Sequence, residues 1–482
     1  MNKYIGLKTI FFFSFIGITL FIYNPFALYF LNDDMTHLPL SRKGVLFQHN
    51  SFRPIHDLLL ITEYKLWGLN AVGYHLVEWG IHVVCSVLVY QFSYRLLKVY
   101  DKYEEKSLVI MALFTASLFS VYAFHSESVL WILGSGASLA TIFFLLSVIA
   151  YLKRNVGTIP FIASLLFFQI GLFTYEAIWV APVFVLLLSY ESVRNGATQW
   201  RKERLYVILY WLSFLGNLLL RKIFIGELAG TYGAERVFDF NLKHLMYNGV
   251  CFFTRSFVPP SQSTALFAGS MVALVILLYM IFRKMFISKK LDSFLLILIV
   301  SFLCSLLPVV NLGISTHSRE SERFLYLPSV FLCLLILIVI SRALSHSKML
   351  LCFGGLVLYN TYFTYINARD YGVAGSISKA FYNHFEIDQG NDTIILKGFP
   401  RQFNGLPLFR SGFKEGLSSF YNIDTSRILV VDEEEMKTTT AYNKALIKRN
   451  FQFYFKENKV DSKKELTLVY DSTYFSMVQF NN

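Results

Sequence analysis

The chain has 482 residues, 55% hydrophobic and 17% aromatic, with 16% charged residues and a net charge of +12. Apolar runs of about 18 residues or more recur along it, which a soluble core does not require and a bilayer does. Its five cysteines, Cys85, Cys251, Cys304, Cys333 and Cys352, show no CxxC or finger spacing, which argues against a disulfide framework or zinc module.

Lys3 and Lys8 precede the first apolar run, 9–31, which is too long for a signal-peptide core and reads as a retained first helix. Where it ends, "NDD" places two adjacent carboxylates, Asp33 and Asp34, at the membrane boundary. Further spans are predicted at 72–97, 107–124, 129–152, 158–173, 175–191, 204–225, 264–283, 291–311, 323–341 and 349–367, about eleven in all. The connection 32–71 carries "RPIHDLLLITEYKLWGL", too short and too charged to span, and reads as a helix lying in the interface. A second interfacial helix is expected near 241–256, ended by Pro259 and Pro260. "AFHSES" and "LFTYEA" are hairpins so short that the helices they join are antiparallel neighbours. Beyond 368 the composition changes. "DTIILKGF", "RILVVDEEE", "ELTLVYD" and "YFSMVQF" read as strands, "AGSISKAFYNHF" and "AYNKALIKRNFQ" as helices. The expectation is an α-helical polytopic membrane domain, 1–367, followed by a small extracytoplasmic α/β domain, 368–482.

With the N-terminus placed in the cytoplasm, the inner segments collect Lys98, Lys153, Arg154, Arg201, Lys202, Lys289 and Lys290 among others, and hold essentially the whole +12 surplus. The surplus is therefore a topology signal and not a nucleic-acid footprint. An odd number of spans puts the tail outside. Most acids ahead of it, including Asp57, Glu63, Glu127, Glu176, Glu320 and Glu322, then lie at the outer face with Asp33 and Asp34.

Acids at a membrane boundary cost desolvation energy unless they face water, a cation or a partner. Asp33–Asp34 therefore reads as a general base with a neighbouring acid, or as a polar helix cap. His125 and Glu127 in "FHSESVLW", and Glu176 in "TYEAIWVAP", are candidates to line an outer pocket. "HSRESERFLYLPS" brings Arg319, Glu320, Glu322 and Arg323 just ahead of a span. Arginine suits bidentate phosphate contacts, and Arg53, Arg221, Lys222 and Arg255 are further outer cations that meet either a phosphate or lipid head groups. "LGSGAS", 133–138, reads as close helix packing. No Walker A, nucleotide-binding GxGxxG or HExxH is present.

Together these segments resemble the GT-C glycosyltransferases that use polyprenyl-phosphate sugars, nearest to the protein O-mannosyltransferase-like and transmembrane/tetratricopeptide-repeat mannosyltransferase branch. The resemblance rests on "NDD", "FRPIHDLLL", "LWGLNAVGYHLVEWGIHVVCSVLVY", "FHSESVLWILGSGASLATIFFLLSVIAYL", "TYEAIWVAP" and "SERFLYLPS", in order over about 1–370. The tail is no tetratricopeptide array; "KGFPRQFNGLPLFRSGF" is similar to tails of uncharacterised bacterial members. The resemblance implies a carboxylate base at Asp33 or Asp34 and inverting transfer of a sugar, mannose in the named branch, from a polyprenyl-phosphate donor to an acceptor hydroxyl on protein, lipid or glycan. It also implies phosphate contacts from Arg53, Arg255, Arg319 and Arg323, and a pocket lined by His125, Glu127, Glu176 and Glu322. Members differ in their use of a divalent metal; Asp33 and Asp34 are the residues that would hold one. The implied location is a bacterial inner membrane, with the tail extracytoplasmic. The alternatives are a lipid-linked sugar transporter or flippase, for which no inverted repeat or broken mid-span helix is visible, and a polysaccharide polymerase or ligase.

Overall fold

The computed structural model describes residues 5–100, 104–228, 241–261, 263–287, 292–383, 393–397, 402–430, 454–460 and 463–469. The expected strand "YFSMVQF" and helix "AYNKALIKRNFQ" lie outside them.

The first apolar run folds as α1, Ile5–Tyr23, and stops short of the expected 31. Asn24 adopts a left-handed conformation (φ 42°) ahead of Pro25, and the residue before a proline is disfavoured in the α region. The end of the run is protein core rather than lipid-facing helix: Leu28, Phe30 and Leu31 are buried, and Phe30 packs edge-on against Tyr74, ring centroids 5.3 Å apart. The chain then forms α2, Asp34–Arg42, and α3, Pro54–Trp67, with Pro54 at a first-turn position that needs no N–H donor. Helix α3 buries His56, Asp57, Leu60, Ile61 and Glu63 and exposes Leu58, Leu66 and Trp67.

Helices α4 (Ala71–Tyr100), α5 (Glu105–Ser120), α6 (Ser126–Leu130), α7 (Ser135–Tyr151), α8 (Thr158–Leu172), α9 (Ala181–Arg194) and α10 (Trp200–Ile225) come next. After them come α11 (Leu242–Arg255), α12 (Thr264–Ile287), α13 (Ser293–Leu306), α14 (Tyr326–Ala343) and α15 (His346–Asn383). Among the described residues six helices are long and apolar enough to cross a membrane, seven if α5 and the 123–130 segment form one span bent by 53°. Shorter apolar helices occupy the other expected positions. The protein is thus an α-helical polytopic membrane protein. Phe92 of α4, Phe144 of α7, Phe184 of α9 and Phe331 of α14 meet in the bundle core. Leu205, Ile208, Leu212, Leu215, Leu219 and Ile223 of α10 stay exposed at helical spacing, a stripe suited to lipid.

The bend after α5 frees backbone groups that a bilayer cannot solvate. Helix α15 supplies the partners. Asn360 Oδ1 accepts the N–H of Ala123 at 3.0 Å, Thr364 donates to the carbonyl of Val121 at 2.8 Å, and Asn367 donates to that of Ala123 at 2.8 Å. Helix α15 runs without a break across position 368, where the composition changes.

Beyond α15, β1 (Thr393–Lys397), β4 (Ile428–Val430), β5 (Tyr454–Val460) and β6 (Lys463–Val469) form a sheet in the order β4-β1-β6-β5. Strand β1 runs parallel to β4 and β6, and β5 antiparallel to β6. A small hairpin pairs β2 (Gln402–Phe403) with β3 (Leu406–Pro407). Its turn, Asn404–Gly405, has positive φ at both residues, the conformation that favours Asn-Gly in tight hairpins. A strap, Leu408–Gly412, then leads into α16, Phe413–Tyr421.

Candidate active site

Asp33 and Asp34 part company at the start of α2. Asp34 is buried, with one oxygen accepting the N–H of Leu31 at 2.9 Å and the other that of Leu133 at 3.4 Å. Burial pushes its carboxyl above the usual range, against those two bonds and with the charge of Asp33 adding to the rise. Behind it lie two more buried acids, Glu63 and Glu78. Asp33 stands at the N-cap position, yet its side chain makes no capping bond. It enters a cleft instead.

That cleft is lined by Leu31, Asn32, Asp33, Glu127, Trp131, Arg319, Glu320, Arg323, Tyr371, Pro407 and Arg410, and encloses about 500 Å³ together with its open mouth. Three arginines face it, each against an acid. Arg323 pairs with Glu127, whose other oxygen accepts the Arg323 backbone N–H at 2.8 Å. Arg319 reaches Asp370 at 2.7 Å. Arg410 grips Glu320 through two bonds of 2.9 and 3.1 Å and thereby holds the Glu320 carboxyl below its usual range. Among the described residues Asp33 has no arginine within salt-bridge distance; its Oδ1 accepts a hydrogen bond from the Ser411 hydroxyl.

Of the residues singled out in the sequence, the structure brings Asp33, Glu127, Arg319, Glu320 and Arg323 to this cleft. The others lie elsewhere. Arg255 is fully buried against Glu322, with its remaining donors on the carbonyls of Ser315 and Val258 at 2.9 and 2.7 Å. Glu322 also accepts from Ser126. His125 is buried beneath the cleft, Nε2 2.7 Å from Ser329 Oγ. Glu176 bridges Arg53 at 2.9 Å and Arg221 at 2.7 Å. Arg410 and Ser411 come from the tail, and composition carries no sign of them beyond the Asn-Gly turn that precedes the strap. Among the described residues no group of three or more His, Cys, Asp or Glu is placed to hold a metal.

Fold and cleft define an α-helical membrane protein that presents a carboxylate and three arginines at one end of its bundle. No family model matches the chain. It is 23% identical over 319 residues to the protein O-mannosyl-transferase F38B6.6 of Caenorhabditis elegans, covering 62% of this chain and 44% of that one. It is 31% identical over 132 residues to the protein O-mannosyl-transferase TMTC3 of Mus musculus, covering 27% of this chain and 13% of that one. The chain thus spans less than half the length of these curated relatives. Both relatives are named as protein O-mannosyl-transferases, the kind of enzyme that the motifs resemble. Among solved structures it is similar to ArnT from Cupriavidus metallidurans bound to undecaprenyl phosphate, with a TM-score of 0.48 and 12% identity over 88% of this chain and 89% of that one.

Proposed function

We propose that the protein is a GT-C glycosyltransferase that moves a sugar, mannose on the names of its curated relatives, from a polyprenyl-phosphate donor to an acceptor hydroxyl at the cleft. The observation that carries the reading is the distribution of partners among the acids there. Arg410 grips Glu320 through two bonds, and both oxygens of Glu127 are occupied, one by the Arg323 guanidinium and one by its backbone N–H. Asp33 has no ion pair among the described residues; its carboxylate accepts one hydroxyl and leaves its other oxygen open to an acceptor hydroxyl in the cleft.

In this reaction Asp33 accepts the proton of the acceptor hydroxyl as its oxygen attacks the anomeric carbon. The carbon–oxygen bond to the lipid phosphate breaks on the opposite face, the phosphate leaves with the electron pair, and the anomeric centre inverts. Negative charge grows on the departing phosphate, where preorganised cations lower the barrier. Arg319, Arg323 and Arg410 are in reach. Arg410 is the most mobile in role: it and Glu320 are 43% and 42% exposed, and exposed pairs contribute only about 0–1 kcal/mol, so a phosphate displaces Glu320 at little cost. The cleft faces the extracytoplasmic side, the side the charge distribution assigns to Asp33.

Membranes containing the protein, supplied with labelled polyprenyl-phosphate mannose and a panel of other polyprenyl-phosphate hexoses, test the proposal. Asp33→Asn is expected to lose transfer by about 10²-fold or more at matched folded protein. Undiminished transfer by this variant would remove Asp33 as the base.

A further inference from the structure

We infer that the strap Leu408–Gly412 belongs to the active site and that Ser411 is a positioning residue for Asp33; the inference rests on the reading of Asp33 as the base.

Three hydrogen bonds tie the strap to residues 32 and 33. The N–H of Asn32 donates to the carbonyl of Leu408 at 3.1 Å. The N–H of Ser411 donates to Asn32 Oδ1 at 2.9 Å. The Ser411 hydroxyl lies 3.0 Å from that same oxygen and also within bonding reach of Asp33 Oδ1. A hydroxyl has one hydrogen to give. Asn32 Oδ1 already holds the Ser411 N–H, and a carboxylate is the stronger acceptor, so the hydroxyl serves Asp33.

The backbone enforces this approach. Asn32 is left-handed, φ 46°, a conformation asparagine tolerates better than most residues. It turns the chain so that Asp33 enters the cleft while Asp34 folds back into the core. Gly412, φ 74°, lies so close that a Cβ there would stand 2.5 Å from the Asn32 carbonyl oxygen and 3.0 Å from Met35 Cβ. On either side the strap is anchored by apolar burial. Leu408, Phe409 and Phe413 are buried, and Phe409 and Phe413 pack on Phe381 of α15 with ring centroids 5.3 and 5.0 Å apart. Between these anchors, Arg410 reaches the cleft and Ser411 meets Asp33.

A general base works only when its lone pair is aimed at the proton it takes. The Ser411 hydroxyl fixes Oδ1 of Asp33 and so sets the direction of Oδ2. The tail region therefore contributes to the chemistry.

The test compares Ser411→Thr with Ser411→Val in the full chain, near-isosteric side chains that differ in the hydroxyl. Purified protein in lipid nanodiscs is given labelled polyprenyl-phosphate mannose, or whichever hexose of the panel wild type transfers, with thermal midpoints measured alongside. The threonine variant is expected to keep most of the wild-type rate at saturating donor. The valine variant is expected to lose about ten- to a hundredfold, with donor KM and thermal midpoint matching the threonine variant. Equal rates for the two, or a loss in the valine variant that appears only as a raised donor KM, overturn the positioning role. Asp33→Asn, measured beside them, separates the two failures. If it is inactive while threonine and valine are equal, the base stands and the strap does not act on it. If it transfers like wild type, the base assignment itself falls.

Discussion

Asp57, in the first turn of α3, shows how burial acts on a carboxyl in this protein. One of its oxygens accepts the N–H of Phe47 at 2.8 Å and that of Gln48 at 3.3 Å. Burial nevertheless pushes its pKa up to about 6, outweighing those two bonds and the charge of Arg53. The unfolded carboxyl sits at 3.8. Between about pH 4 and 6 the folded side chain therefore keeps a proton that the unfolded chain has released. Stability from this group is greatest below that window, falls as pH rises through it, and levels off above about 6. The Asp57→Asn variant has no proton to lose, so its stability relative to wild type should improve by on the order of 2 kcal/mol between pH 4 and 7. Thermal midpoints of the two proteins in detergent at both pH values check this; an unchanged gap would sink it. Asp34 is raised by the same cause.

At the scale of elements, the turn between α6 and α7 holds the glycine with the least room among the described residues. Gly134 has an ordinary helical backbone (φ −70°), so its need for glycine is purely one of space. A Cβ there would stand 1.8 Å from the carbonyl oxygen of Glu127, and backbone cannot yield as a side-chain tip can. Two residues on, a Cβ at Gly136 would meet Tyr175 Cδ2 at 3.4 Å, an ordinary contact. Gly134→Ala should therefore cost about 1–3 kcal/mol or more and displace Glu127 from the cleft wall, while Gly136→Ala is tolerated. Thermal midpoint and transfer rate of the two variants check the contrast, and equal tolerance would refute it. The small-residue run was visible in "LGSGAS", and the helix positions were visible because a bilayer demands long apolar runs. The end of α1 and the bend at 121–130 were not visible, because residues buried in protein are as apolar as residues buried in lipid. Arg255 and Glu322 read as cleft residues by their type; only the fold shows that they satisfy each other. Ser411 meets Asp33 across 378 residues of sequence, a separation over which no local pattern speaks.

Across the whole molecule, α10 shows how a lipid-facing helix is held to the bundle. Lipid tails are as apolar as leucine, so hydrophobic burial drives helix association only weakly inside a bilayer. With 26 residues, α10 is about 39 Å long, and ion pairs tie it near both ends. Toward the cleft end, Arg221 meets Glu176 at 2.7 Å. At the other, Glu203 is fully buried and accepts from Arg154 Nη2 at 2.8 Å and Nε at 3.0 and 3.1 Å. It also accepts from the Tyr151 hydroxyl at 2.7 Å. Removing one partner of such a pair strands the other charge, which costs about 3–5 kcal/mol. Glu203→Ala should thus lower the thermal midpoint and expose α10 to proteolysis. Because Glu203 lies at the end of the bundle away from Asp33, the fraction that remains folded should transfer sugar with unchanged kcat and KM. A thermal midpoint equal to wild type would show that the pair does not hold α10, and a kcat loss in fully folded protein would show that the two ends of the bundle are coupled.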